Sequence, residues 1–282
     1  MDSVVAVLPE WPADGRPAEE PEGTATAVLP GGFAATNVHV LGRATAVRIR
    51  LSDGRLLKAE IVGRDPPTDI ALIKVPLDLP VAPVNAEPKL AERVCAVGNQ
   101  FGLGLSVTCG VVSAVRRTAA GFNPVEDFVQ TDAVVNPGGS GGALVDAQGR
   151  MVGLVSAIFT KKSDANIGVN FAASMPLVMR VVEDLKAHGR VKRVRSGLAV
   201  EDLGEAERAT LSGVRITRVQ DSGPAAVAGL KIGDLIVAVD RRPVYRATDV
   251  TAAIYLRRPG ERAEVEYRRD GARATATLSF AP

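Results

Sequence analysis

Ala44 to Leu51 reads ATAVRIRL, Ser52-Asp53-Gly54 follows, Leu56 to Val62 reads LLKAEIV, and Ile70 to Val75 reads IALIKV. Apolar and polar side chains alternate in the first run, the period of a strand with one buried face. Ser-Asp-Gly supplies the small residues that turn one strand back on the next. A second set of runs begins after the proline-rich Pro80 to Pro88: Ala91 to Val97, Leu105 to Val115, Phe128 to Asp132, Ala143 to Val145, Met151 to Ile158 and Val169 to Ala173. Many short strands at close spacing predict barrels or a sandwich, and the gap between the sets predicts two all-β halves.

The period changes at Pro176 to His188 (PLVMRVVEDLKAH), where Leu177, Val178, Val181, Val182 and Leu185 share one helical face and Gly189 follows as a stop. From Lys186 to Arg195 five of ten residues are Lys or Arg, which reads as a solvated linker, with a binding patch as the alternative. Alternation returns at Leu198. Strands are expected at Gly213 to Gln220, Asp234 to Val239, Ala263 to Arg268 and Ala274 to Phe280. Helices are expected at Pro224 to Ala228 and at Asp249 to Leu256, the latter capped by Thr248 or Asp249.

Composition narrows the classes of function. The 282 residues are 46% apolar, 23% charged and 4% aromatic, the profile of a globular chain built from small aliphatic side chains. With 34 Lys and Arg against 32 Asp and Glu, no large basic excess exists to neutralise a run of phosphates, so nucleic acid is not expected as a main partner. No stretch reaches the roughly 20 apolar residues of a membrane helix. The start, MDSVVAVLPEWPADGRPAEE, lacks the basic head and apolar core of a signal peptide. Cys95 and Cys109 are the only cysteines, and they flank the Gly98 to Gly104 turn, leaving one disulfide or two buried thiols as the choices. With only His39 and His188 besides, no zinc site and no cofactor is expected.

Gly138-Gly139-Ser140-Gly141-Gly142 is the sharpest chemical feature, because glycines around a serine let backbone N–H groups converge on a ligand. A phosphate loop is disfavoured because no Lys follows; a bare glycine turn is the other alternative. A nucleophilic Ser140 needs a base. His39 lies in ATNVHV after a strand and a Gly-Gly turn, whereas His188 sits near a helix C-terminus, where the helix dipole accounts for it. Asp69, in RDPPTDIALIKV, opens an apolar strand that would carry its carboxylate inward, and Asp65 reads as the turn-capping residue. The order His39, Asp69, Ser140 is that of a chymotrypsin-type triad.

The chain resembles the high-temperature-requirement (HtrA/Deg) serine proteases. The resemblance is carried by TNVHV, LSDGR, GRDPPTDIALIKV, AVGNQFGLGLSVTCGVVSAV, EDFVQTDAVVNPGGSGGALVDAQGRMVGLVSA and NIGVNFAAS. It implies a mostly β protein: a chymotrypsin-like pair of six-stranded barrels in residues 1–185, divided near residue 82 and closed by a helix, then a basic linker at 186–197 and a small α+β PDZ domain at 198–282. Ser140 would attack the peptide carbonyl, His39 would carry the proton, Asp69 would orient the imidazole, and the backbone at Gly138, Gly139 and Ser140 would form the oxyanion hole. Val135 and Ile158 would line a pocket for a small or medium aliphatic side chain, and Ser156, Ala157 and Ile158 would pair with the substrate as an added strand. In the PDZ domain, Leu198, Ala199 and Val200 would bind a peptide carboxylate, and Val250 and Ile254 its hydrophobic side chain.

Two positions depart from the family pattern: Gly139 stands where Asn is usual, and Ala199 where Gly is usual. The expected partners are unfolded polypeptides and hydrophobic peptide C-termini, and the expected assembly a homotrimer. The resemblance implies a periplasmic or envelope location, whereas Met1 as the true start would leave the chain cytoplasmic. The expected activity is serine endopeptidase action in protein quality control or the stress response. The alternative is a peptide-binding chaperone or scaffold with a latent protease domain.

Overall fold

The three runs in residues 44–75 build one side of a closed barrel in the computed structural model, which describes residues 1–10, 22–158 and 168–281. The chain enters through β1 (Val4–Glu10), β2 (Gly23–Leu29) and β3 (Phe33–Asn37). It then makes a one-turn helix, α1 (Val38–Leu41), and continues through β4 (Ala46–Arg50), β5 (Leu56–Asp65) and β6 (Ile70–Lys74). The strands close in the order β1-β2-β3-β6-β5-β4. Val47 and Ile49 point inward at 1% and 0% exposure, while Ala46 and Arg48 between them face out. At the β4–β5 turn the Asp53 carboxylate accepts the Arg55 N–H at 3.0 Å and its Nε at 2.7 Å. The backbone N–H first, and the guanidinium after it, hold the Asp53 pKa below the ordinary carboxylate value.

The second barrel contains β7 (Arg93–Gly98), a 3₁₀ turn at Gln100–Gly102, β8 (Ser106–Arg117), β9 (Phe128–Thr131), β10 (Ala143–Asp146), β11 (Met151–Ile158) and β12 (Asn170–Ser174). These strands close in the order β10-β11-β12-β9-β8-β7. Val94, Ala96, Val112, Val129, Leu144 and Val152 fill its interior, in keeping with the limited space inside a small barrel. Cys95 and Cys109 stand directly opposite each other across β7 and β8, and they form a disulfide with Cα atoms 4.0 Å apart.

Helix α2 (Met175–His188) follows. The Ser174 hydroxyl donates to Asp127 at 2.8 Å and accepts the Leu177 N–H at 3.4 Å, which caps the helix N-terminus. Leu177, Val178, Val181, Val182 and Leu185 are buried along the face read from the sequence.

The chain divides between Val191 and Lys192. The second unit runs β13 (Leu198–Asp202), α3 (Glu205–Arg208), β14 (Val214–Val219), α4 (Pro224–Val227), β15 (Leu235–Val239), β16 (Arg242–Pro243), α5 (Ala247–Tyr255), β17 (Arg262–Arg269) and β18 (Ala272–Ser279). Its sheet order is β13-β14-β15-β17-β18, with β16 on β15, so β13 is an edge strand. Helix α5 begins before the expected Asp249. Asp249 is its third residue and reaches back to accept the N–H groups of Tyr245 at 2.8 Å and Arg246 at 2.9 Å. A carboxylate at the third position can cap from inside the helix, which is why neither Thr248 nor Asp249 is the boundary residue. Asp234, 2% exposed, receives a two-pronged contact from Arg269 at 2.7 and 2.8 Å. Hydrogen bonding to Asp234 is the main reason the Arg269 pKa is raised.

Candidate active site

Asp69 lies in a tight turn in which Thr68 N–H donates to Asp65 O at 3.1 Å and Asp69 N–H to Pro66 O at 3.2 Å. Asp65 also accepts the Thr68 hydroxyl at 2.8 Å, so Asp65 braces the turn. Asp69 takes a left-handed backbone conformation, φ 58°, which Asp tolerates better than most residues. Its carbonyl accepts the Val38 N–H at 3.0 Å and the Asn37 side-chain amide at 3.0 Å. Helix α1 is therefore fastened to this turn, and the buried Val40 and Leu41 anchor it from below.

On that helix His39 places Nδ1 2.5 Å from Asp69 Oδ2, and its backbone N–H donates to Oδ1 at 2.9 Å. The carboxylate thus receives two N–H groups of one residue. Because a carboxylate only accepts, this arrangement puts the imidazole proton on Nδ1 and leaves Nε2 as the basic nitrogen. The His39 side chain is 42% exposed and that of Asp69 14%, so the pair opens to solvent on the histidine side.

Ser140 is half-buried on the loop between β9 and β10. Its carbonyl accepts the Thr24 N–H of β2 at 2.9 Å, and Thr24 O accepts the Thr36 hydroxyl of β3 at 2.7 Å. Thr36 precedes His39 by three residues, so the serine loop of one barrel is hydrogen-bonded beside the strand that delivers the histidine from the other. The Asn37 amide makes a second link between the barrels, donating to Ser156 Oγ at 3.3 Å.

The carbonyls of this loop are occupied in sequence. Asn136 O accepts Gly139 N–H at 2.9 Å, Pro137 O accepts Phe101 N–H at 2.7 Å, and Gly139 O accepts Gly142 N–H at 2.9 Å. Gly138 O accepts the Thr24 hydroxyl at 2.7 Å, and Gly141 O that of Thr26 at 3.0 Å. Gly141 N–H donates to Val155 O at 2.8 Å. Among the described residues, the N–H groups of Gly138 and Ser140 have no protein acceptor, whereas the Gly139 N–H between them is occupied. A loop whose carbonyls are tied back and which leaves the N–H groups of the serine and of the residue two before it without protein acceptors can stabilise negative charge on a bound oxygen.

Two glycines here are dictated by backbone angle and space together. Gly138 has φ +89° and a Cβ on it would lie 2.4 Å from Asn99 O; Gly141 has φ +84° and a Cβ would lie 1.9 Å from Thr24 O. Gly139 carries no such strain, although a Cβ there would sit 3.0 Å from Asn136 O and 3.2 Å from Val135 Cγ1.

The other expected residues are placed as follows. Val135, 4% exposed, packs in the core of the second barrel. Ser156, 3% exposed, falls at the register shift between Val155 and Ala157 in the β11–β12 ladder. Ala157 and Ile158 pair through their backbones with Phe171 and Asn170, and their side chains lie outside the described residues. In the second unit Leu198, Val200, Val250 and Ile254 line a groove of about 690 Å³ beside edge strand β13, and Ala199 is not among its lining residues. The Leu198 N–H is occupied by Ser196 Oγ at 3.2 Å. Arg193, Arg195 and Arg218 also line this groove. The first two belong to the basic run read as a linker, which was the one local signal for them. Thr24, Asn37 and Asn99 had no such signal, because their partners are distant in the chain. Among the described residues no cluster of His, Cys, Asp and Glu could hold a metal ion, and no helix is long and apolar enough to cross a membrane.

Comparison with known proteins agrees with this architecture. Residues 23–154 match the trypsin-like peptidase domain family, and residues 166–280 match the PDZ domain family. The probable periplasmic serine endoprotease DegP-like of Pseudomonas fulva (strain 12-X) is 36% identical over 281 residues, covering 96% of this chain and 58% of the relative. That of Ectopseudomonas mendocina (strain ymp) is 36% identical over 277 residues, covering 94% and 58%. The chain therefore spans a little over half the length of these curated relatives. Among solved structures, the HtrA-type protease AlgW with tripeptide is 34% identical, covers 99% of this chain and 93% of its own, and superposes with TM-score 0.76. The serine endoprotease from Yersinia pestis is 31% identical, with coverage of 99% and 94% and TM-score 0.65. With two closed six-stranded barrels, a PDZ domain and relatives matched along nearly its whole length, the chain belongs to the HtrA family of trypsin-like serine proteases.

Proposed function

We propose that this chain is a serine endopeptidase that cleaves unfolded or misfolded polypeptides, with residues 1–185 as the catalytic domain, 186–197 as a basic linker and 198–282 as a PDZ domain that recognises peptide C-termini. The observation that carries the reading is the serine loop, where the N–H groups of Gly138 and Ser140 have no protein acceptor among the described residues while the surrounding carbonyls are tied down. Ser140 Oγ attacks the substrate carbonyl as His39 Nε2 takes its proton, and the two N–H groups receive the developing oxyanion. The tetrahedral intermediate collapses as His39 protonates the leaving amine. A water activated by His39 then hydrolyses the acyl-enzyme and restores Ser140. Asp69 holds the imidazole in the required tautomer throughout.

In the groove of the second unit, Val250 and Ile254 would receive an apolar C-terminal side chain, with the peptide adding to edge strand β13. A periplasmic location and a trimeric assembly complete the reading. The test is cleavage of casein by the wild-type chain and by Ser140→Ala, with and without a hydrophobic C-terminal peptide. Cleavage by the wild type alone, raised by the peptide, is expected. Absence of cleavage with retained peptide binding and suppression of aggregation would replace the peptidase with a chaperone or scaffold.

A further inference from the structure

Two glycines in succession leave the Gly138–Gly139 peptide, like the Gly141–Gly142 peptide, without side-chain restriction on its rotation. The two candidate oxyanion donors lie on either side of it, so its rotation about ψ of Gly138 and φ of Gly139 changes where their N–H groups point relative to each other. Backbone contacts hold the neighbouring peptides through Pro137 O and Gly139 O. The middle peptide is held at its N–H by Asn136 O, 2.9 Å away, and at its carbonyl by one side chain, Thr24, whose hydroxyl donates to Gly138 O at 2.7 Å.

That hydroxyl is itself directed. Thr24 is fully buried, and its Oγ1 accepts the Asn99 N–H at 2.9 Å, which turns its single proton toward Gly138 O. Asn99 is fixed in turn: its side chain donates to Glu22 Oε2 at 2.7 Å and accepts the Gly104 N–H at 2.9 Å. Arg50 clamps Glu22 with both terminal nitrogens, at 3.2 and 2.6 Å. Thr24 also donates its own N–H to Ser140 O at 2.9 Å. One residue of the first barrel therefore grips the serine loop on both sides of Gly139.

We propose that Thr24 is a positioning residue for the oxyanion donors, its hydroxyl locking the Gly138–Gly139 peptide in the orientation that presents the N–H groups of Gly138 and Ser140. This rests on the peptidase reading above. It gives the chain a means of ordering its oxyanion loop although Gly139 itself supplies no side chain.

The test compares Thr24→Val, which keeps size and branching but removes the hydroxyl, with Thr24→Ser, which keeps the hydroxyl. Hydrolysis is measured per titrated active site, together with the affinity of a peptide boronate that forms a tetrahedral adduct. For Thr24→Val we expect kcat lower by about 10- to 100-fold with KM within about twofold, a loss below the ceiling for removing an oxyanion donor outright. Boronate affinity should fall in parallel, and Thr24→Ser should restore most of both. A kcat per site equal to wild type in Thr24→Val, or a loss that Thr24→Ser shares in full, overturns the proposal. Thr24→Ala takes the place of Thr24→Val if the latter does not fold. Amide exchange at Gly139 reads the lock without catalysis: exchange at least about tenfold faster in the hydroxyl-free variant is expected for a loosened local contact, and unchanged exchange overturns the proposal. If the wild type neither turns over nor reacts with a fluorophosphonate, the peptidase reading fails and the exchange result still decides the lock.

Discussion

His39 and Asp69 are joined twice, through the imidazole Nδ1 to Oδ2 at 2.5 Å and through the backbone N–H to Oδ1 at 2.9 Å. The second contact fixes where the residue stands and the first fixes which ring nitrogen carries the proton. Asp69→Asn presents an amide that can donate to Nδ1 and so favours the wrong tautomer. We expect peptide hydrolysis to fall by about 10⁴-fold in kcat, with the melting temperature nearly unchanged. A steady-state assay beside a thermal melt checks this, and a variant within tenfold of wild type would remove Asp69 from the mechanism.

The Cys95–Cys109 bond closes a loop of 14 residues around the hairpin tip that carries Asn99 and Phe101. Replacing both cysteines by serine should reduce unfolding free energy by about 3 kcal/mol, the chain-entropy value for a loop of this length. Urea unfolding of the two proteins measures it, and a dithiol reductant should bring the wild type toward the variant. Coincident midpoints would mean that the β7–β8 ladder alone holds the hairpin.

Gly141 and Gly149 both have positive φ, but only at Gly141 would a side chain meet neighbouring atoms, 1.9 Å from Thr24 O; nothing lies within 4 Å at Gly149. Gly149→Ala is expected to cost about 1–2 kcal/mol, the left-handed penalty alone. Gly141→Ala adds overpacking against backbone, for a cost of about 2–5 kcal/mol, and displaces the serine loop, so activity is lost. Equal stability losses in the two variants would contradict the close packing of β2 on this loop.

Asp146 gives a pH prediction. Burial works against its charged form, but the Arg150 N–H and guanidinium, the Asn85 amide and the Gln148 N–H outweigh it and hold the pKa below the ordinary value. A carboxyl with a lower pKa in the folded state contributes stability that is complete above its unfolded pKa and is lost as pH falls through the folded one. Wild type should therefore lose stability below about pH 4. Asp146→Asn should be less stable at neutral pH, with a shallower acid limb. Urea midpoints from pH 7 down to pH 2 decide it, and parallel curves for the two proteins would rule Asp146 out.

Where a strand has one wet face, the residues announced it: β4 alternates and its turn carries Ser52-Asp53-Gly54. In β2 Thr24 and Thr26 alternate with Ala25 and Ala27, but there the alternation marks no wet face. In β2 every residue from Gly23 to Val28 is buried, because Ala25 and Ala27 fill the first barrel while Thr24 and Thr26 bond to the serine loop of the second. A strand covered on both faces has no solvent side, so alternation alone does not tell which face is the core.

The candidate site divides in the same way. Residue chemistry and order along the chain were enough to single out His39, Asp69 and Ser140, since few residue types can serve as base, orienting acid and nucleophile, and this chain has only two histidines. Their support was hidden. Thr24 meets Gly138 across 114 residues and Asn37 meets Ser156 across 119, contacts that exist only once two barrels have closed and packed. A single threonine among several carries no local mark of that role, because a hydrogen bond depends on where a strand lies in space and not on the residues beside it in the chain.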